Sequence, residues 1–136
     1  MREVTRLTLA GLLLAGMLTG CGAPGHGAAA YRVGFVGSSG PGHAEYRYTA
    51  FDGVERHTFH AEAGQVIDLD YEVAVDKGAL SLELVAPDGK SLWEETFHEN
   101  GAGSQALALP QDGVYTVRMS GQATAGRFDV SWRVQA

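Results

Sequence analysis

The side chain with the most distinctive chemistry is the thiol of Cys21, the only cysteine among the 136 residues. It has no partner for an internal disulfide, and a free thiol in an exported protein requires an explanation. Two cations, Arg2 and Arg6, stand near the amino terminus, and an apolar run from Leu7 to Leu18 leads towards the cysteine. This order is typical of an export signal, and about a dozen apolar residues are too few for a lasting transmembrane helix.

The residues Leu18-Thr19-Gly20-Cys21 resemble the bacterial lipobox, in which an aliphatic residue and two small residues precede a cysteine that receives a diacylglyceryl lipid. The resemblance implies that residues 1–20 are a cleaved lipoprotein signal peptide and that Cys21 becomes the acylated first residue. Two acyl chains hold a protein firmly at a membrane without a spanning segment. We therefore expect a protein that is lipid-anchored to the cell membrane on its extracytoplasmic face.

Residues 21–30 carry no large apolar side chain and no charge, so we expect a flexible tether between the lipid and a domain at residues 31–136. Removal of residues 1–20 takes two arginines and one glutamate from the 10 cationic and 16 anionic side chains. The remaining 8 and 15 give a net charge of −7 with neutral histidines. This balance disfavours nucleic acid as a partner.

After residue 30, apolar and polar residues alternate with the period of two that is typical of half-buried strands. In residues 65–75, for example, Leu69 belongs to an apolar face and Asp70 to a polar one. Tyr115 and Trp132 share the apolar parity of the last two segments, so we expect both side chains in the core. No helical pattern follows residue 20, which argues against nucleotide-binding α/β folds and against a recognition helix.

The segments predict an all-β fold, an antiparallel two-sheet sandwich, jelly-roll-like, of about eight strands. Asp52-Gly53 predicts a two-residue hairpin turn between the first two strands, and the glycine-rich residues 33–43 predict a loop. A second loop is expected at residues 100–104. The predicted strands are residues 45–51, 54–60, 65–75, 80–85, 90–99, 105–109, 114–120 and 126–135.

Several core and turn residues resemble those of the bacterial pre-peptidase C-terminal type of β-sandwich, over roughly residues 55 to 134. The matching segments are Phe59–Ile67 with its glycine turn, Leu80–Leu84, Pro87-Asp88-Gly89, Gly113–Val117 and Gly126–Val130. The resemblance implies a non-catalytic accessory module, sometimes with bound calcium. Such modules accompany enzymes or form small surface domains, and we expect a free-standing module here, with a partner or ligand of its own.

Asp68, Asp70 and Asp76 are the candidate calcium ligands, although we expect no cofactor beyond the lipid. Alternate residues of a strand repeat at roughly 7 Å, which is too wide for Asp68, Asp70 and Glu72 alone to hold one ion. Calcium takes 6 to 8 oxygen ligands, so loop oxygens would have to join. The simpler interpretation is a row of exposed carboxylates that keeps the domain soluble.

The remaining candidates carry weaker signals. His57 and His60 are three residues apart on a predicted strand and project to opposite faces, so they cannot share an ion; His57 is expected to be half-buried. His98 and three nearby glutamates could form a transition-metal site or an acid-base pair, but a charged edge strand is the preferred explanation. Trp93 could stack on a sugar. No serine lies in a Gly-x-Ser-x-Gly motif, which argues against a hydrolase.

The leading hypothesis is a membrane-anchored, non-enzymatic module of the cell envelope that binds another envelope component. A ligand-binding sandwich for calcium or a glycan is the alternative, and a small hydrolase ranks third. Exposed aromatic residues would favour the glycan, clustered carboxylates the cation, and a deep pocket with converging His and Asp the enzyme.

Replacing Cys21 with serine should abolish lipidation, because the sequence offers no other segment that would hold a membrane. Metabolic labelling with a palmitate analogue should then give a labelled wild-type protein and an unlabelled variant that is unprocessed or soluble. A serine variant that remains labelled and membrane-bound would contradict the lipobox assignment.

Overall fold

The structure is a computed structural model that describes residues 31–136, so the expected signal peptide, the lipidated cysteine and the tether lie outside the described residues. No helix of the described residues is long and apolar enough to span a membrane. The strands are β1 (Tyr31–Val33), β2 (Val36–Gly40), β3 (His43–Ala61), β4 (Val66–Val85), β5 (Ser91–Phe97), β6 (Gly101–Ala108) and β7 (Gly113–Gln135). The predicted all-β, antiparallel fold is confirmed.

One continuous sheet folds back on itself to form the two layers of a sandwich. The front sheet contains β2, residues 43–48 of β3, residues 126–135 of β7, residues 66–75 of β4, and β6, in that order. The back sheet contains residues 53–61 of β3, residues 113–121 of β7, residues 79–85 of β4, and β5. Strand β1 pairs with β3 where the two sheets meet.

The three long strands bend side by side, and the ladder changes register at each bend. In β3 the shifts lie between residues 48 and 53, and in β4 between residues 75 and 79. The adjoining stretch of β7 approaches β4 so closely that a Cβ on Gly126 would lie 1.9 Å from the carbonyl oxygen of Ala74. Gly78 has a φ of +68°, and its Cβ would lie 2.4 Å from the carbonyl oxygen of Ala123. The bends of β4 and β7 therefore require glycine at these two positions.

The inward side chains of both sheets form one hydrophobic core, as the period of two predicted. Contacts between the layers include the rings of His57 and Trp132, whose centroids are 5.7 Å apart, and those of Tyr71 and Trp93, at 5.3 Å. Tyr115 is fully buried, and its hydroxyl donates to the carbonyl of Gln111 at 2.6 Å. The largest fully buried side chains are Tyr115, Phe51, Phe128, Ile67, Leu69, Leu80, Leu82, Leu84, Leu109, Met119, Val73 and Val117.

The predicted hairpin at Asp52-Gly53 is wrong, because β3 continues through this dipeptide. Gly53 has a φ of +153° and lies at a register shift in the ladder with β7, so it forms part of a bend and does not reverse the chain. Two further pairs of predicted strands are likewise continuous, within β4 and within β7. The predicted loops at residues 33–43 and 100–104 contain strand β2 and the start of β6.

Trp132→Ala should lower the free energy of unfolding by about 3–5 kcal/mol, because the indole is 7% exposed and fills the space between the sheets. The matched control is Val114→Ala on the same strand, where the side chain is 54% exposed and the change should stay within about 0.5 kcal/mol. Urea denaturation of both variants measures the difference. Equal midpoints for the two variants would contradict the burial of Trp132.

Candidate functional site on the front sheet

The outer face of the front sheet presents alternate residues of five strands in straight cross-strand rows. The register places Glu45 opposite Asp129 and Asp129 opposite Glu72, so one row carries three carboxylates on successive strands. The next row carries His43, Ser131, Asp70 and Ser104 in the same way. Beyond these two rows lie one with Arg47, Arg127 and Ala74 and one with Arg133, Asp68 and Ala106.

Two adjoining depressions on this face form a shallow groove, which we call the trough. The first encloses 540 Å³ and is lined by residues that include Asp68, Asp70, Ser104 and Ser131. The second encloses 490 Å³, shares Asp70, Ser104 and Ser131 with the first, and extends to Asp129. Strand β6 contributes only small alanine, glycine and serine side chains to most of its wall. Because these side chains are small, the trough is open, and Asp68, Asp70, Ser131 and Arg133 supply polar groups to it.

The carboxylates along the trough are held by neighbouring donors. Asp68 accepts a hydrogen bond from Gln135 at 2.5 Å, and Asp70 accepts one from the hydroxyl of Ser104. Arg127 donates to Glu72 at 2.6 Å, and this hydrogen bond with its ionic attraction raises the pKa of Arg127 above its usual range. Exposed pairs of this kind contribute little to stability, so a ligand can replace them at small cost.

Three side chains on this face have the geometry of metal ligands. His43 Nε2 and Asp129 Oδ1 are 3.0 Å apart, and Glu45 belongs to the same group, with one ligand atom from each residue within 4.8 Å of the others. The side chains of His43 and Asp129 are each 41% exposed. Residues 31–136 gather no other such group of three histidine, cysteine or acidic side chains.

The three calcium candidates from the sequence are only partly brought together. Asp68 and Asp70 both line the trough. Asp76 is exposed at the bend of β4, six residues from Asp70, which corresponds to about 20 Å of strand. Asp76 therefore cannot join Asp68 and Asp70 around one ion.

His57 and His60 on β3 have the burial that the sequence predicted. His57 is half-buried between the sheets, and His60 is exposed on the opposite side of the strand. The Nε2 atom of His57 lies 3.3 Å from Glu55, and its ring packs against Trp132. His98 is exposed just after β5 and does not belong to the group of converging ligands.

Trp93 faces the interior of the sandwich and does not offer a flat ring to solvent. It lies opposite buried Leu84 in the ladder, and its ring packs on Tyr71. Glu95 has the same parity and accepts a hydrogen bond from the hydroxyl of Tyr71 at 2.8 Å. A sugar platform at Trp93 therefore finds no support, and the neighbouring Leu92 is half-buried and also packs against the core.

No protein-family profile and no curated protein matches this chain. Among solved structures it is similar to CBM4, a carbohydrate-binding module, with 11% identity and a TM-score of 0.53 over 78% of this chain and 77% of that one. Aeromonas hydrophila PliG, a periplasmic inhibitor of g-type lysozyme, matches with 20% identity and a TM-score of 0.44, over 72% and 93%. BiXyn10A CBM1 in its apo form matches with 16% identity and a TM-score of 0.41, over 76% and 78%.

The likeness to CBM4 confirms the β-sandwich, and at 11% identity it shows the fold alone. The β-sandwich that the pre-peptidase resemblance implied is thus present. Membership of that family and the lipobox assignment stay predictions.

Millimolar calcium should shift the melting temperature by no more than about one or two degrees relative to chelator, because Asp68, Asp70 and Asp76 do not converge. A specific ion at a hundredfold excess over its dissociation constant would add about 2.7 kcal/mol of stability. Differential scanning calorimetry with calcium, magnesium and chelator measures the shift. A rise of many degrees with calcium alone, lost in Asp70→Asn, would contradict this prediction.

Proposed function

We propose that this chain is a lipid-anchored, non-catalytic binding module of the cell envelope that takes its ligand in the trough. The observation that carries the proposal is the set of cross-strand rows, which concentrates charged and hydroxyl side chains around two adjoining depressions. A strand-built surface of this kind holds its side chains in fixed positions before a ligand arrives, so little ordering is needed on binding.

A glycan is the ligand class that the trough favours. Carboxylates, serine hydroxyls and an arginine along one groove match the many hydroxyl groups of a sugar chain, and the small side chains of β6 leave room for it. The fold that this chain shares with CBM4 supports the same class. Trp132 and Tyr71 border the two depressions but are each only 7% exposed, so hydrogen bonds must supply most of the affinity and we expect moderate binding.

The amino-terminal end of the domain suits attachment near a membrane. Tyr31 is 57% exposed and Val36 is 63% exposed, and both lie soon after the expected tether. Tyrosine places an apolar ring and a polar hydroxyl at the same surface, which fits the lipid headgroup region. We propose that Cys21 carries the lipid and that this edge of the sandwich faces the membrane.

Recognition suits the trough better than hydrolysis. Enzymes that cleave glycosidic bonds need one carboxyl group kept protonated as an acid beside a second, ionised one. Asp68, Asp70 and Glu72 each accept a hydrogen bond from a neighbouring side chain. Such contacts hold each carboxylate as a hydrogen-bond acceptor, with its oxygens oriented along the groove where a ligand would lie.

The test compares two tyrosine substitutions on the same strand, one in the trough and one on the far side of the molecule. Ser131→Tyr fills the trough, whereas Thr116→Tyr places the same ring on the outer face of the back sheet. Both parent side chains are half-buried on β7. Co-sedimentation with cell-wall sacculi and with insoluble polysaccharides, in the presence of chelator, measures binding.

We expect the wild type and Thr116→Tyr to sediment with one of these polysaccharides and Ser131→Tyr to lose at least about tenfold in affinity, a loss of roughly 1.4 kcal/mol. Matching far-ultraviolet circular dichroism spectra would show that both variants fold. Equal binding by the two variants would place the ligand surface elsewhere, and no sedimentation of the wild type would remove the glycan from the proposal.

A further inference from the structure

We infer that His43, Glu45 and Asp129 form a site for a divalent transition metal such as zinc or nickel. The inference does not rest on the proposed function, because metal binding at these three residues requires no glycan and no membrane.

The backbone holds the three ligands in place before an ion arrives. His43 and Glu45 are two residues apart on β3 and share the outer face, and Asp129 lies directly opposite Glu45 on β7. The turn before His43 is held against β7, because the amide of Trp132 on β7 donates to the carbonyl of Gly42 at 2.9 Å. All three ligands therefore stand on paired strands and none depends on a loop.

The spacing of the ligand atoms fits an ion. Nitrogen and oxygen ligands bind zinc at about 2.0–2.2 Å, which places two tetrahedral ligand atoms roughly 3.4 Å apart. His43 Nε2 and Asp129 Oδ1 are 3.0 Å apart, and the group spans at most 4.8 Å. One carboxylate oxygen of Glu45 already lies within this span, and the side chain is exposed, so it has room to adjust towards an ion.

The donor set selects the class of metal. Imidazole suits zinc, nickel and copper, whereas calcium and magnesium prefer oxygen ligands alone. Three protein ligands leave at least one position of the ion to water or to an external ligand. The open side of this site adjoins the trough, since Asp129 also lines its second depression.

The charges around the site favour a cation. Glu45, Asp129 and Glu72 follow each other across three strands, and like charges in directly opposite positions destabilise a sheet. Arg127 pairs with Glu72 and His43 contacts Asp129, whereas no salt bridge among residues 31–136 includes Glu45. Arg47 and Arg127 lie in the next row and oppose the ion, and Arg127 also interacts with Asp129 and Glu45, but those two carboxylates would contact the ion directly.

The test is calorimetric titration of zinc chloride and nickel chloride into the full chain carrying Cys21→Ser, which removes the one thiol that could bind these ions. We expect one zinc ion per chain, and at least about tenfold weaker binding in His43→Gln and in Asp129→Asn. The control is His60→Gln, which removes an exposed histidine from the same strand and should leave the affinity unchanged.

Cobalt provides an independent readout, because a protein-bound cobalt ion should give visible absorption bands that are lost in His43→Gln and kept in His60→Gln. Melting temperatures in chelator should agree among all variants, and if His43→Gln fails to fold, Glu45→Gln and Asp129→Asn carry the test. Absence of zinc binding by the parent chain, or equal affinities of the His43→Gln and His60→Gln variants, would overturn the inference. Sedimentation with polysaccharide in chelator is unaffected by either result, so the two proposals fail separately.

Discussion

The bends of β3, β4 and β7 lie side by side, at residues 48–53, 75–79 and 121–126, and they turn one hydrogen-bonded sheet into two facing layers. If one strand bent at another level, the ladder between neighbours would break and its backbone groups would lose their partners. Gly78 and Gly126 allow the close approach at this level, where a Cβ would collide with a carbonyl oxygen. The core and the outer faces both depend on this shared bend.

The bend also determines which side chains meet on the surface. Residues 43–48 and 126–131 pair in the front sheet, while the rest of the same two strands pairs in the back sheet. Within the front half the register is regular, so outward residues form rows, and acidic, basic and hydroxyl groups become neighbours along the trough. A surface with this composition is suited to a polar ligand, and the group formed by His43, Glu45 and Asp129 is suited to an ion.

The sequence predicted well which face of each strand is buried, because a half-buried strand requires apolar and polar residues to alternate. For example, Leu69 is 1% exposed, and Asp70 points outward. The prediction failed at Asp52-Gly53, since a turn dipeptide fits both a hairpin and a bulge, and only pairing with β7 on both sides decides between them. The contact between His43 and Asp129 could not be predicted either, because the two residues are 86 positions apart and meet only through the pairing of β3 with β7. The only local signal for this site was the spacing of His43 and Glu45, which are two residues apart and therefore share one face of a strand.

We propose that the outer face of the front sheet is the binding surface of this domain, where the register brings His43 and Asp129 together. The most direct measurement is a series of ¹H–¹⁵N correlation spectra of the labelled protein during titration with zinc. We expect the amide signals of residues 43–45 and 129–131 to shift, while those of the back sheet stay in place. Shifts centred on His57, His60 or His98 would contradict it.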